Sequence, residues 1–289
     1  MSSVQDERLP VKQKNFQFSW SWFSIPSLLL FWILAVYFMD AFVFENRVIP
    51  QVWEVVAEFW EMVKTPTDAH DTYYTAGGEE PKKYWWTLGS LGAHIWQSFK
   101  EVVIGFVGAF IVALFLGFMA GFSKGFREYI TPLNGVFMSI PAIAWAPLLI
   151  LMFEKFTAIV LVVYIAAVSP MIIAIMEGVL TIKGQEVRAA RALGAKPKQL
   201  FFYVYLPASL PFITAGLRIG FSQAWRALVA AEMVGGIGVG LGHLVAMSDE
   251  LGSNAAMMLG IVFIGLLSYI FERLVFRRIE KRYEVWRLH

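Results

Sequence analysis

The stretch Arg188–Pro207, RAARALGAKPKQLFFYVYLP, decides how the rest of the chain is read. It is basic, alanine-rich and helix-prone, yet it lies between two of the most apolar segments of the sequence. Residues 184–198 carry a helical pattern, with Val187, Ala190 and Leu193 on one face, Arg188, Arg191 and Lys198 on another, and Gly194 breaking it. A bilayer does not require a short two-faced helix projecting into water between two membrane-length blocks. Such a helix either rests on lipid headgroups or docks onto a protein on that side of the membrane.

The flanking blocks fix the solvent. The chain has 289 residues, of which 58% are hydrophobic and 16% charged, with 25 Phe and a mean hydropathy of +0.60. That is too apolar for a water-soluble domain, and the apolar residues come in long blocks. A helix crosses a bilayer in roughly 20 apolar residues. Six blocks meet this length: about Ile25–Phe44, Ser98–Phe122, Ile130–Phe153, Thr157–Ile182, Pro207–Val234 and Ala255–Phe276. The expected organisation is a leader (1–24), a first span (25–44), an external segment (45–97), a five-helix core (98–276) that includes the loop 183–200, and a basic tail (277–289). The first block is expected to stay attached, because its leader carries Asp6 and Glu7 and no small-residue cleavage site follows it. A net charge of +2 argues against nucleic acid, four scattered histidines offer no metal cluster, and the absence of cysteine excludes disulfides and thiol catalysis.

Lys and Arg collect on the cytoplasmic side of membrane proteins. Here they collect in the leader (Arg8, Lys12, Lys14), after the second span (Lys124, Arg127), after the fourth (Lys183, Arg188, Arg191, Lys196, Lys198) and in the tail. The segment 45–97 has four basic against eight acidic residues, and the other two opposite segments are poorer still. Both termini are therefore expected in the cytoplasm of a multi-pass protein. On the outside, PQVWEVVAEFWEMV from Pro50 sets Val52, Val55, Val56, Phe59, Trp60 and Val63 against Glu54, Glu58 and Glu61, the pattern of a helix lying at the membrane surface. A polar, turn-rich loop follows, and Trp53, Trp60, Trp85, Trp86 and Trp96 suit an interfacial belt.

Three features inside the spans stand out. Gly117 and Gly121 form a small-xxx-small pair for close helix packing. Pro132, Pro141 and Pro147 interrupt the third span, which reads either as a broken helix beside a pathway or as a kinked packing helix. The fifth span carries Arg218, Arg226 and Glu232, and ionisable groups at membrane depth face a bundle interior, a partner or a cavity. Arg218 lies near the inner end, where it can snorkel. After Glu232, the run GGIGVGLG (Gly235, Gly236, Gly238, Gly240, Gly242) reads as an irregular outer gate or as a flexible loop.

The opening stretch resembles the coupling loop of ABC importer permeases, in which a Gly is followed after nine residues by Ile or Val, any residue, Leu and Pro. Here these are Gly194, Val204, Leu206 and Pro207, while Arg188 stands where that loop has Glu. RVIP, HIWQSFKEVVIGF, SIPAIAWAPLLILMF, LPASLPFITAGLRIG and ALVAAEMV are similar to the permeases of taurine, aliphatic sulfonate, nitrate and bicarbonate importers. Glu154-Lys155-Phe156 replaces a glycine usual in that branch, and Arg226 stands where relatives carry a small or apolar residue.

The resemblance implies an all-α type I importer permease with about six spans and a cytoplasmic coupling helix, from about Glu186 to Lys196, between spans four and five, in a prokaryotic inner membrane. It implies two permease copies around one pathway, two cytoplasmic ATPase subunits that bind ATP and Mg, and an external solute-binding protein. Coupling residues would be Glu186, Arg188, Ala189, Ala190, Arg191, Gly194 and Lys196. Pathway residues would be Pro141, Trp145, Pro147, Arg218, Ser222, Arg226 and Glu232, and the five glycines would form the gate loop. The relatives move small oxyanions, and Arg226 can meet a sulfonate, nitrate or carboxylate through paired hydrogen bonds, or else pair with an acid such as Glu232 of the other copy. The chain lacks a GxxxxGK[ST] phosphate loop, so any ATP hydrolysis falls to partners and no cofactor is expected on this chain. An ion-coupled carrier or channel suits the same ions and broken helices, but it needs no cytoplasmic docking helix.

Overall fold

The computed structural model describes residues 26–27, 30–34, 36–37, 50–64, 89–182, 184–235 and 239–276. The leader, the loop beyond Lys64 with Trp85 and Trp86, the basic tail, and Gly236 and Gly238 lie outside the described residues. The chain divides into two units, Met1–Val52 and Trp53–His289. In the first, the described residues between 26 and 37 are helical, inside the expected first span.

The described residues of the second unit are helical, without strands. They form α1 (Val52–Lys64), α2 (Gly89–Phe122), α3 (Lys124–Ser139), a 3₁₀ turn (Ala142–Trp145), α4 (Ala146–Met152), α5 (Lys155–Leu180), α6 (Gly184–Ala192), α7 (Pro197–Leu200), a π turn (Phe201–Tyr205), α8 (Leu206–Val234), α9 (Leu241–Glu250), α10 (Asn254–Phe271) and a second π turn (Glu272–Phe276). Four helical stretches are long and apolar enough to span a membrane: Leu91–Phe122, Lys155–Leu180, Pro197–Val234 and Asn254–Leu274. The expected boundary at Ser98 falls inside α2, which starts at Gly89: "GSLGAH" contains no proline, its Gly92 is carried inside the helix, and polarity alone does not end one.

The third expected span is broken, not kinked. Its halves, Lys124–Ser139 and Ala142–Met152, meet at 84°. Pro141 sets the break, because a residue preceding proline is pushed out of the helical region, and Ile140 accordingly sits at φ −89°, ψ 118°. Pro147 lies in the first turn of α4, where its missing N–H costs nothing. Pro132 is carried inside α3 without ending it.

α5 lies at the centre and packs along both α2 and α8. Its sequence is apolar on every side, as a helix enclosed by others requires. Small residues set how close α2 comes. A Cβ on Gly117 would lie 2.7 Å from Ile175 Cβ, and one on Gly121 would lie 2.5 Å from Val179 Cβ, so only glycine permits this approach. In α1 the buried residues are Val55 and Met62, and Phe59 stacks on Phe263 of α10 at 5.9 Å. Trp53, Val56 and Trp60 remain exposed on another face. Burial, and secondarily Glu61, raises the pKa of Glu58 above the usual carboxylate value.

Candidate functional site

The loop between α5 and α8 is built as a helix with a defined stop. α6 covers Gly184–Ala192 and buries no residue. Gly194 ends it at φ +82°, with Gly194 N–H donating to Arg191 O (2.9 Å) and Ala195 N–H to Ala190 O (3.1 Å). This left-handed stop satisfies carbonyls that the helix end leaves open. The helix therefore ends short of the expected Lys196, which instead precedes α7 and donates its N–H to Gln199 Oε1 at 2.8 Å. Glu186, Arg188, Ala189 and Arg191 are exposed and Ala190 is half-buried, while Leu193 at the tip is 89% exposed. Beyond α7 the chain runs through the π turn into α8. Phe201 packs edge-on against Phe118 (5.0 Å) and Tyr205 against Phe122 (4.7 Å), which ties this loop to the end of α2.

α8 carries a polar stripe. Ala215, Arg218, Ile219, Ser222, Gln223 and Arg226 are all exposed, while Gly216, Gly220, Phe221, Ala224, Trp225, Ala227 and Leu228 are buried. The spacing is that of one helix face, and four of its six residues are polar or charged in a segment apolar enough to span. Arg226 Nε donates to Ser222 O (3.0 Å) and an Nη to Ser222 Oγ (3.1 Å), so the guanidinium folds along its own helix. Arg218 is tied to Glu272 in the last turn of the chain's described part, Nε to Oε1 at 3.1 Å, with a second, shorter contact from Nη2. Both groups are half-exposed. The sequence reading missed Glu272, although its depth matches that of Arg218.

A cavity of 330 Å³ runs from the stripe to the helix break, with Gln223 and Arg226 on one side and Ile140–Ile143 on the other. Pro141 therefore meets Arg226 in one space. Trp145 stacks on Phe137 (6.2 Å), and its Nε1 is buried without a hydrogen-bond partner among the described residues. Pro147 is exposed in α4. A second hollow of 480 Å³ shares Arg226 and Ser222 and extends to Arg218 and Glu272. The stripe thus borders open space along its length.

Glu232 departs from this group. It is only 2% exposed and turns into its own chain, where both its carboxyl oxygens have partners. Its Oε1 accepts from Ser98 Oγ (2.6 Å) and its Oε2 from the Gly242 N–H (2.7 Å), while Leu241 N–H donates to Ser98 Oγ (2.8 Å). Side chains from α2 and α8 therefore cap the first turn of α9, with a carboxylate at the positive end of that helix. His94 Nδ1 lies 2.8 Å from Gly240 O and 3.0 Å from Gly240 N. The glycines are required here: a Cβ on Gly242 would lie 2.3 Å from Val229 O, and one on Gly240 would lie 2.6 Å from Glu232 Cδ. Gly235 closes α8. His243, in the first turn of α9, has its pKa lowered to about 4 by burial and, secondarily, by Lys155.

Residues 109–285 match the family of binding-protein-dependent transport system inner membrane components. The chain is 30% identical over 253 residues to the nitrate import permease protein NrtB of Leptolyngbya laminosa, covering 87% of this chain and 85% of that one. It is 30% identical over 203 residues to the taurine transport system permease protein TauC of Escherichia coli K12, covering 68% and 73%. Among solved structures, two inward-facing crystal forms of the MetNI methionine ABC transporter share the fold at TM-scores of 0.57 and 0.58, each at 20% identity, covering 66% and 65% of this chain and 95% and 94% of theirs. With the family signature over most of its helical core, a polar face on a membrane-length helix and a short helix with a glycine stop between α5 and α8, the chain belongs to the binding-protein-dependent inner membrane components, the permeases of ABC importers.

Proposed function

We propose that two copies of this permease enclose one pathway for a small anion, which an external binding protein delivers and two cytoplasmic ATPase subunits drive across. The observation that carries this reading is the stripe on α8. Charged and polar groups exposed along a membrane-spanning helix are costly against lipid, so they face a second copy or water. Arg226 gives that space a fixed positive charge, and the cavity it shares with Gln223 and the break at Pro141 is where a sulfonate, nitrate or carboxylate would pass. The relatives' nitrate and taurine, both carrying an oxyanion group, support the choice of charge.

The inner loop supplies the coupling. α6, with Arg188, Arg191 and Leu193 outermost, docks on the ATPase, and Gly194 fixes the turn into α7. The aromatic contacts from Phe118 and Phe122 to Phe201 and Tyr205 pass its displacement to α2 and α8. ATP and Mg belong to the partner subunits, and both termini face the cytoplasm. Arg226→Gln should cut uptake while leaving dimer assembly and ATPase co-purification intact. Wild-type uptake by that variant, or a native mass with one permease per complex, would refute the reading.

A further inference from the structure

The capped end of α9 is held by more than its hydrogen bonds. Glu101 of α2, 2% exposed, lies in the electrostatic field of Glu232 and receives Gln97 Nε2 on Oε1 at 2.7 Å, while its Oε2 is buried without a hydrogen-bond partner among the described residues. Two carboxyl groups near one another in a buried site repel when both are ionised, and a nearby cation relieves that repulsion. Lys155, the first residue of α5, provides one. Its Nζ is buried without a hydrogen-bond partner among the described residues, yet it lies in the electrostatic field of both Glu101 and Glu232. The lysine stem runs directly beneath the exit of α8: a Cβ on Gly235 would lie 3.1 Å from Lys155 Cε. The described groups around the pair are thus Ser98, Gln97 and Lys100 from α2, Lys155 from α5 and the Gly242 N–H from α9, with Leu241 N–H on Ser98 and His243 in the field of Lys155.

We propose that Lys155 is a positioning residue for the outer end of the pathway, its ammonium serving as the counter-charge that lets Glu101 and Glu232 hold the first turn of α9 against α2 and α8. This rests on the orientation proposed above. Two details separate the role from plain packing. Among the described residues the ammonium makes no hydrogen bond, so its contribution is charge at a distance and not a fixed contact. It also sits on α5, the helix against which α2 and α8 both pack, so any sliding of α8 past α5 changes the attraction that holds the clasp. The clasp is therefore coupled to the helix movement that opens the pathway.

The chain has no cysteine, so a single Val239→Cys beside the clasp reports its opening. The permease–ATPase complex in right-side-out vesicles is labelled with a charged, membrane-impermeant maleimide. Lys155→Met, which keeps the length and removes the charge, should raise the labelling rate about tenfold. Adding Glu101→Gln to it should bring the rate back to within about twofold of the parent, because the like charge is gone and the new amide can donate to Glu232. Lys155→Arg should label like the parent. Parental labelling of Lys155→Met, or a double variant as fast as the single one, would overturn the proposal. If Lys155→Met does not reach the membrane, Glu101→Gln alone decides: slower labelling than the parent supports the clasp, and equal or faster labelling overturns it. Labelling only in inverted vesicles would refute the orientation, while the ratio between variants would still test the clasp.

Discussion

Gly194 offers the sharpest separation of backbone from side chain. It sits at φ +82°, and a Cβ built there meets nothing within 4 Å, so a substitution is penalised by conformation alone. A side chain in the left-handed region costs about 1–2 kcal/mol, more for a β-branched one, whereas Asn tolerates that region well. A penalty of that size changes the population of the native turn by a factor of roughly 5–30. Gly194→Val should therefore let α6 run on or fray, misplacing Leu193 and the arginines against the ATPase, while Gly194→Asn should keep the turn. The assay is the ratio of solute imported to ATP hydrolysed in proteoliposomes containing the full transporter. Gly194→Val should lower the ratio severalfold at normal membrane levels, and Gly194→Asn should leave it near wild type. An unchanged ratio for Gly194→Val, or equal damage from Asn and Val, would refute the reasoning.

Three further outcomes follow from the same geometry. Gly121→Val should destabilise the purified protein by about 1–3 kcal/mol, because its Cβ would meet Val179 Cβ at 2.5 Å, whereas Gly125→Ala, with nothing within 4 Å, should be neutral or slightly stabilising; thermal unfolding in detergent compares them. Arg188→Glu with Arg191→Glu should weaken ATPase co-purification, since both side chains are exposed on α6 and carry no structural load in the chain. His243 titrates near 4 in the fold against an ordinary value of about 6.5, so the unfolded chain takes up the proton first as pH falls. Its contribution is complete above about pH 6.5 and is lost on acidification toward 4; at pH 5 the loss should be about 1 kcal/mol relative to His243→Gln, read from unfolding midpoints.

The parts legible in the sequence were those written in one segment. Hydropathy located the long spans, the prolines of the third span marked an interruption without deciding between a break and a kink, and Gly194 marked the stop of α6, because each signal is local. The clasp was not legible in that way: Ser98, Glu101, Lys155 and Glu232 come from three helices, and each alone reads as a polar residue near a membrane surface. Depth matching was the available signal. All four lie toward one end of the bundle, as Arg218 and Glu272 share another level, and polar groups at equal depth in apolar surroundings seek one another. Glu232 was grouped with Arg226 because they share α8, but a separation of six residues puts them on different faces, one into the protein and one onto the stripe.

The central claim is that the α8 stripe faces a water-filled pathway, and single cysteines test it directly because the chain has none of its own. Cysteines at Ile219, Ser222 and Gln223, with buried Gly220 and Ala224 as controls, are exposed in the assembled transporter to a small, negatively charged, water-soluble thiol reagent. The account predicts that Ser222→Cys and Gln223→Cys react, that nucleotide bound to the ATPases changes their rates, and that Gly220→Cys and Ala224→Cys stay silent. Stripe cysteines that resist the charged reagent and are labelled only by a lipid-soluble one would place this face against the bilayer and contradict it.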